Sequence, residues 1–207
     1  MAQANSDKPR VNAPGFNGTF LADLLSGCLM HEACGHQLYR AVAAKTKNPM
    51  LRAKYEEYGK QSERHAEILK QIIVEAGVEP TYLSGTAQRI EMQDTSLVNA
   101  TMSDQGRDLL TQEMAMLDAV FVAEAVDHAN WEALSKLSAQ MPEGAFASAL
   151  KRAVAEVEPQ EDDHLSWARD TRMLLVNLLA RSDAAEATVE KAEQMIAKLH
   201  EASSNVS

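Results

Sequence analysis

Val154-Ala-Glu-Val157-Glu-Pro-Gln-Glu161-Asp-Asp-His164-Leu-Ser-Trp-Ala168-Arg-Asp-Thr171-Arg-Met-Leu-Leu175 reads as the buried seam of a helix with unexpected residues at its centre. Val154, Val157, Glu161, His164, Ala168, Thr171 and Leu175 alternate spacings of three and four. That is the repeat of a helical stripe packed inside a bundle. Where such a stripe takes Leu or Ile, this one carries Glu161 and His164. An unpaired buried charge is costly, so the pair needs a reason to be inside.

Three other stretches have the same design. Leu51, Tyr55, Tyr58, Ser62, His65, Leu69 and Ile72 form one stripe, and Leu117, Phe121, Glu124, His128 and Trp131 another. The third runs Leu21, Leu25, Cys28, Glu32, then Gly35 or His36, then Tyr39. Each is apolar at its ends and polar at mid-length. The spacing therefore predicts an all-α fold with four long helices over 19–45, 50–76, 108–140 and 145–181. Asn48-Pro49 and Pro142-Glu-Gly144 are turn signals, and Gly77 is a helix stop.

Short turns make antiparallel hairpins of the first and second helices, and of the third and fourth. The link over 78–104 contains Pro80, Gly85 and a short helical stretch near 86–100. It is long enough to cross the bundle from end to end, which sets the second and third helices parallel. An amphipathic fifth helix is expected over 184–202, carrying Ala187, Ala192, Met195, Ile196 and Leu199. Residues 1–15 read as a disordered lead-in with Pro9, Pro14 and Gly15, and 16–203 as a single domain.

The hairpins resemble each other. Glu32-Ala-Cys-Gly-His36-Gln-Leu-Tyr39 aligns with Glu124-Ala-Val-Asp-His128-Ala-Asn-Trp131, and Gln61-Ser-Glu-Arg-His65 with Gln160-Glu-Asp-Asp-His164. Glu32 and His65 are 33 residues apart, Glu124 and His164 are 40. The difference is two helical turns and preserves the facing register. This is the pattern of an internal duplication with approximate two-fold symmetry.

Composition agrees with a helical domain: 207 residues hold only 9 Gly and 6 Pro. The net charge of −10 opposes nucleic acid and anionic membrane as partners. Cys28 and Cys34 lie six residues apart on one helix, about 9 Å by rise, too far to bridge. Two free thiols, no apolar leader and no membrane-length apolar run make a cytoplasmic protein the expectation.

Carboxylate and imidazole together suit iron, manganese or zinc. Glu161 and His164 stand one turn apart on one face and can reach the same ion. Glu32, Glu124 and His65 complete the candidate ligand set. His36 and His128, one turn beyond the two glutamates, and Glu63, beside position 62, are further candidates. Tyr55, Tyr58 and Trp131 read as packing, and His31 as an interhelical flank residue. Gly-rich phosphate loops, Cys-x-x-Cys pairs, nucleophile elbows and dinucleotide fingerprints do not occur.

On these residues the chain resembles the ferritin-like superfamily, which includes bacterioferritin, rubrerythrin and manganese catalase. Its members set one Glu on each of two helices and a Glu-x-x-His on each of the other two. Glu32 and Glu124 match the single glutamates, Glu161 and His164 the complete motif, and His65 the end of the second motif. Tyr39, seven residues after Glu32, matches an aromatic found near the family's site. The resemblance implies an antiparallel four-helix bundle with a long crossover between its second and third helices. It also implies a dinuclear iron or manganese centre that reacts with O2 or peroxide, as in a ferroxidase, peroxidase or catalase-like oxidoreductase. Tyr39 would stand behind the ligands and an outside donor would supply electrons; a homo-oligomer acting as a scaffold or store goes with the non-catalytic alternative.

The departure is Ser62, where the second motif should carry Glu. A dinuclear centre, a single or non-redox ion, zinc included, and a metal-free network of buried Glu–His contacts are the readings that stand at this level.

Overall fold

A computed structural model describes residues 8–103 and 109–180, and there every regular element is helical. The helices are α1 (Gly18–Lys45), α2 (Pro49–Glu75), α3 (Gly85–Met102), α4 (Leu109–Gln140) and α5 (Ala145–Leu179). The expected boundaries hold to within a residue or two. Position 108, the expected fifth helix over 184–202 and residues 1–7 lie outside the described residues.

Side chains fix the helix starts. The Asn17 side chain accepts from the Phe20 amide, Asn48 from Met50 and Leu51, and Ser84 from Ala87. Pro49 occupies the first turn of α2, where its missing N–H costs nothing. At the other end, Gly77 has φ 76°, a region a Cβ disfavours. The Gly77 amide donates to Val74 O and the Val78 amide to Ile73 O, so α2 closes with its last carbonyls satisfied. Inside α5, exposed Pro159 removes the N–H that would bond the Ala155 carbonyl, two residues before Glu161.

Contacts between helices give their directions. His36 pairs with the Gly59 carbonyl and Arg52 with Ala43, so α2 returns along α1. Arg172 meets Asp118, His128 meets Asp162 and Ser135 meets Glu158, so α5 returns along α4. Thr46 meets Glu113 while Trp131 meets Glu32, so α4 is antiparallel to α1 and parallel to α2. The crossover that this direction demands is α3. Thr86 bonds Asp23, Asp94 meets His31 and Thr101 accepts from Lys45, so α3 lies along α1 in the same direction.

The lead-in expected to be disordered over 1–15 docks from Val11 onward. Val11 is 4% exposed within the core, and its amide donates to Gly18 O. A Cβ at Gly18 would stand 2.1 Å from the Val11 carbonyl oxygen, so the close approach needs glycine.

The core is divided. One apolar cluster joins Leu21, Leu25, Leu69, Ile72, Leu134 and Leu150 at one end. Leu38, Val42, Tyr55, Tyr58, Met116 and Val120 form another beyond mid-length. The band between them holds the polar residues of the four stripes.

Candidate metal centre

Glu32 from α1, His65 from α2 and both Glu161 and His164 from α5 are fully enclosed, and Glu124 from α4 is 4% exposed. Seam positions on four helices bring them together. His65 Nδ1 lies 2.8 Å from Glu161 Oε1 and 3.5 Å from Glu32 Oε1. His164 Nδ1 lies 3.3 Å from Glu124 Oε2 and 3.6 Å from Glu161 Oε1. Two ligand groups result, Glu32–His65–Glu161 and Glu124–Glu161–His164, each with donor atoms within 4.8 Å of one another. Glu161 belongs to both.

The outer atoms of these side chains are held from behind. His65 Nε2 faces Gln160 Oε1 at 3.1 Å, and His164 Nε2 faces Gln61 Oε1 at 2.6 Å. The Gln160 amide nitrogen is committed to the Glu156 carbonyl, so its oxygen is the atom turned to His65. An Nε2–H donating to each glutamine leaves both Nδ1 lone pairs free and inward. Tyr39 donates to Glu124 Oε1 at 2.6 Å, and Trp131 Nε1–H to Glu32 Oε1 at 2.7 Å. The support repeats the duplication: seven residues after each glutamate, an aromatic donor holds the other glutamate.

Glu32 Oε2, His65 Nδ1, Glu124 Oε2, both oxygens of Glu161 and His164 Nδ1 are buried without a hydrogen-bond partner. The 2.8 Å approach of His65 to Glu161 lacks hydrogen-bond alignment and leaves both atoms without a partner. A buried acceptor without a donor costs about 1–3 kcal/mol. A cation would serve all of these atoms at once. Donors at about 2.1 Å from one ion stand roughly 3–4 Å from each other, close to the 2.8–3.6 Å between each imidazole and its carboxylates. The residues therefore fit iron, manganese or zinc.

Between them, burial and neighbouring charge raise the pKa values of His65, Glu161 and Glu32. Burial works to lower the His65 pKa, but the Glu161 and Glu32 carboxylates outweigh it and raise it to about 10. Burial pushes Glu161 up to about 8, with Glu32 and Glu124 adding to the rise and His65 opposing it. Burial and then Asp127 push Glu32 to about 7 against His65 and Trp131. Tyr39 is held protonated by burial and by the Glu124 charge, as a donor to Glu124 must be.

Three candidates from the sequence stay outside. His36 Nδ1 faces the Gly59 carbonyl at 2.7 Å, His128 Nε2 faces Asp162 at 2.8 Å near the surface, and Glu63 is exposed. A small difference in helical phase carries the two histidines off the seam, and Glu63, one residue from seam position 62, points about 100° away from it. Ser62 is 2% exposed on the seam, in the place equivalent to Glu161. Glu63 does not replace it.

Asp127 escaped the sequence reading. It is 5% exposed, with Oδ1 unpartnered. Burial, and after it the Glu161 charge, holds its carboxyl well above the ordinary range against the pull of His31. Its signal was present: it follows Glu124 by three, the Glu161–His164 spacing. His31 is no flank residue but a buried link between helices, 2% exposed. Its Nδ1 faces Asp94 Oδ2 at 2.7 Å and its Nε2 faces the Ala123 carbonyl at 3.0 Å. Both partners are acceptors, so both nitrogens donate and the ring is an imidazolium.

No family model matches the chain, and no curated protein or solved structure matches it either.

Proposed function

We propose that this chain is a ferritin-like metalloprotein whose four long helices hold a dinuclear iron or manganese centre reacting with O2 or peroxide. The observation that carries this reading is the set of orphaned inward atoms on Glu32, His65, Glu124, Glu161 and His164. Two overlapping ligand groups sharing Glu161 argue for two ions over one. The helix directions, with the long crossover between α2 and α4, agree with the resemblance read from the sequence.

When bound, such a metal pair supplies two electrons to an oxygen–oxygen bond and a place for it to bind. The chain's own residues do the rest. Glu161 sits between both groups. Gln61 and Gln160 fix the imidazole tautomers that present Nδ1. Tyr39 holds Glu124 Oε1 and leaves Oε2 facing His164, while Trp131 holds Glu32 Oε1, the oxygen nearest His65. The apolar clusters on either side exclude bulk water. No helix among the described residues is long and apolar enough to cross a membrane, and the reading requires none. A cytoplasmic setting and an outside electron donor belong to the same proposal, a homo-oligomer to the non-catalytic alternative.

A second reading has one observation in its favour: Ser62 withholds a carboxylate from the centre. A metal-free bundle would then keep a protonated His65 between Glu32 and Glu161. Metal content per chain separates the two. Protein loaded with Fe(II) or Mn(II), desalted and analysed, should retain about two ions per chain. Retention near zero, unchanged in Glu161→Ala, would sink the metal reading. O2 or peroxide consumption by the loaded protein then tests the activity.

A further inference from the structure

Away from the centre, the outer face of the α1–α2 hairpin holds a groove of about 730 Å³. Its floor is lined by the apolar residues Tyr39, Ala43, Ala44, Tyr55 and Gly59, of which Ala44 is exposed and the others buried. Its rim carries Arg40, Arg52 and Lys60 against a single carboxylate, Glu56. That charge is opposite to the chain's net −10. We infer that this groove binds a small organic anion: a ring or short apolar body on the floor, and a carboxylate or phosphate at Arg40 and Lys60.

The size is within the range of about 300–1,000 Å³ for small-molecule sites, which are mostly apolar with a few placed polar groups. The rim is prepared for a ligand. Arg52 is pinned by its Nε to Ala43 O at 3.3 Å and its Nη2 to Thr46 O at 2.8 Å, so its charge is fixed at one end. Arg40 and Lys60 are exposed and make no ion pair among the described residues. Along the antiparallel pair, Lys60 falls beside His36 and Arg40 between the two ends, so positive charge follows the groove's length. A second copy seated there about a two-fold axis would bring these cations against themselves, which disfavours self-association.

The groove also touches the centre. Tyr39, 1% exposed, is among the residues that line it, and its hydroxyl holds Glu124. A bound molecule would lie over α1 and α2 beside a buried residue that positions a candidate ligand. The groove stands on its own residues, so it survives even if the centre holds no metal.

Calorimetric titration of the full chain, chelated and metal-loaded, with phenyl phosphate, benzoate, inorganic phosphate and benzyl alcohol tests the inference. At least one aryl anion should bind once per chain with a Kd on the order of 0.1–1 mM. Inorganic phosphate and benzyl alcohol, each offering half the chemistry, should bind at least about ten-fold more weakly. Preference between the two aryl anions names the group the rim selects. Arg40→Ala with Lys60→Ala should weaken binding about ten-fold or more, while Lys136→Ala on α4 leaves it unchanged. These positions are exposed, and unchanged helical circular dichroism would certify the fold. No saturable binding of either aryl anion would overturn the inference. So would binding indifferent to the double variant, or sedimentation showing the face covered by a second copy.

Discussion

Gln61 Oε1 lies 2.6 Å from Nε2 of His164 on α5, and not against its own helix neighbour His65, whose ring stacks 5.9 Å from that of His164. Gln160 on α5 reaches back to His65 in the same manner. Each glutamine precedes one histidine by four residues and holds the other, so the inward nitrogen on each helix is chosen by the partner helix. Replacing Gln61 or Gln160 with Leu keeps the approximate volume and removes that choice. Each variant should lose about 10–100-fold in metal affinity, by the usual weight of such supporting contacts. Titration followed by Trp131 fluorescence reads this, because its ring lies 6.2 Å from His65 and its N–H is on Glu32. An affinity within two-fold of the parent in both variants would remove the glutamines from the argument.

Shared and unshared ligands should separate by stoichiometry. Glu161 serves both groups, whereas Glu32 and Glu124 serve one each. Glu161→Ala should therefore abolish binding, and Glu32→Ala or Glu124→Ala should leave about one ion per chain. Metal analysis after gel filtration gives the counts. Equal loss in all three variants would contradict two separable positions.

Protons and metal compete for the same atoms, and the sign follows from the raised pKa values. His65 at about 10, Glu161 at about 8 and Glu32 at about 7 all stand above their ordinary values. A folded-state pKa above the unfolded one gives stability at pH below the unfolded value that is lost as pH rises through the folded one. Metal-free protein should thus lose thermal stability steadily between about pH 5 and pH 10. Metal binding, which needs these groups deprotonated, should tighten over the same range and release protons. Melting of chelated and loaded protein at several pH values checks both trends. A chelated protein more stable at pH 9 than at pH 6 would contradict the first.

Most of this architecture was legible because seam spacing and turn residues are local properties. The four stripes gave helix positions, and Asn48, Gly77 and Pro142 gave their ends. Glu32, His65, Glu124, Glu161 and His164 were legible because a polar residue stands out at mid-stripe. His36 and His128 misled for a geometric reason: four residues from a seam glutamate overshoots the seam by about 40°. Asp127, at three, falls about 60° short of it on the opposite flank, and became visible only once α3 brought Asp94 against His31. The aromatic donors were invisible as donors, since packing and donation use the same seam position. Their pairing runs between α1 and α4, at separations of 85 and 99 residues, which no local pattern encodes.

His31 ties α3 to the bundle as a charge. Burial works against its charge, but Asp94 and Asp127 outweigh it and raise its pKa to about 10. By the same sign rule, this contribution is whole below about pH 6.5 and disappears as pH passes 10. His31→Gln should cost about 3 kcal/mol near pH 6, the scale of a broken buried pair, and distinctly less above pH 10. Denaturant melts at the two pH values measure the difference. A cost that grows with pH would mean that the ring is neutral in the folded protein.

Ser62 is the one break in the symmetry of the central ligands, and its reversal is informative. It occupies the position equivalent to Glu161 and is 2% exposed, so a glutamate there would point into the band between the apolar clusters. Two divalent ions carry four positive charges, and Glu32, Glu124 and Glu161 return three. Ser62→Glu would supply the fourth. Forcing the longer side chain into a packed seam costs about 1–3 kcal/mol in the metal-free state, where it also adds like charge. With metal present the new carboxylate gains partners. The variant should therefore melt lower than the parent when chelated, and bind Mn(II) about ten-fold more tightly or better. The contrast between the two states is the test. If Ser62→Glu melts lower both with and without metal, by the same margin, the position has no access to the ions and the centre's asymmetry is built in.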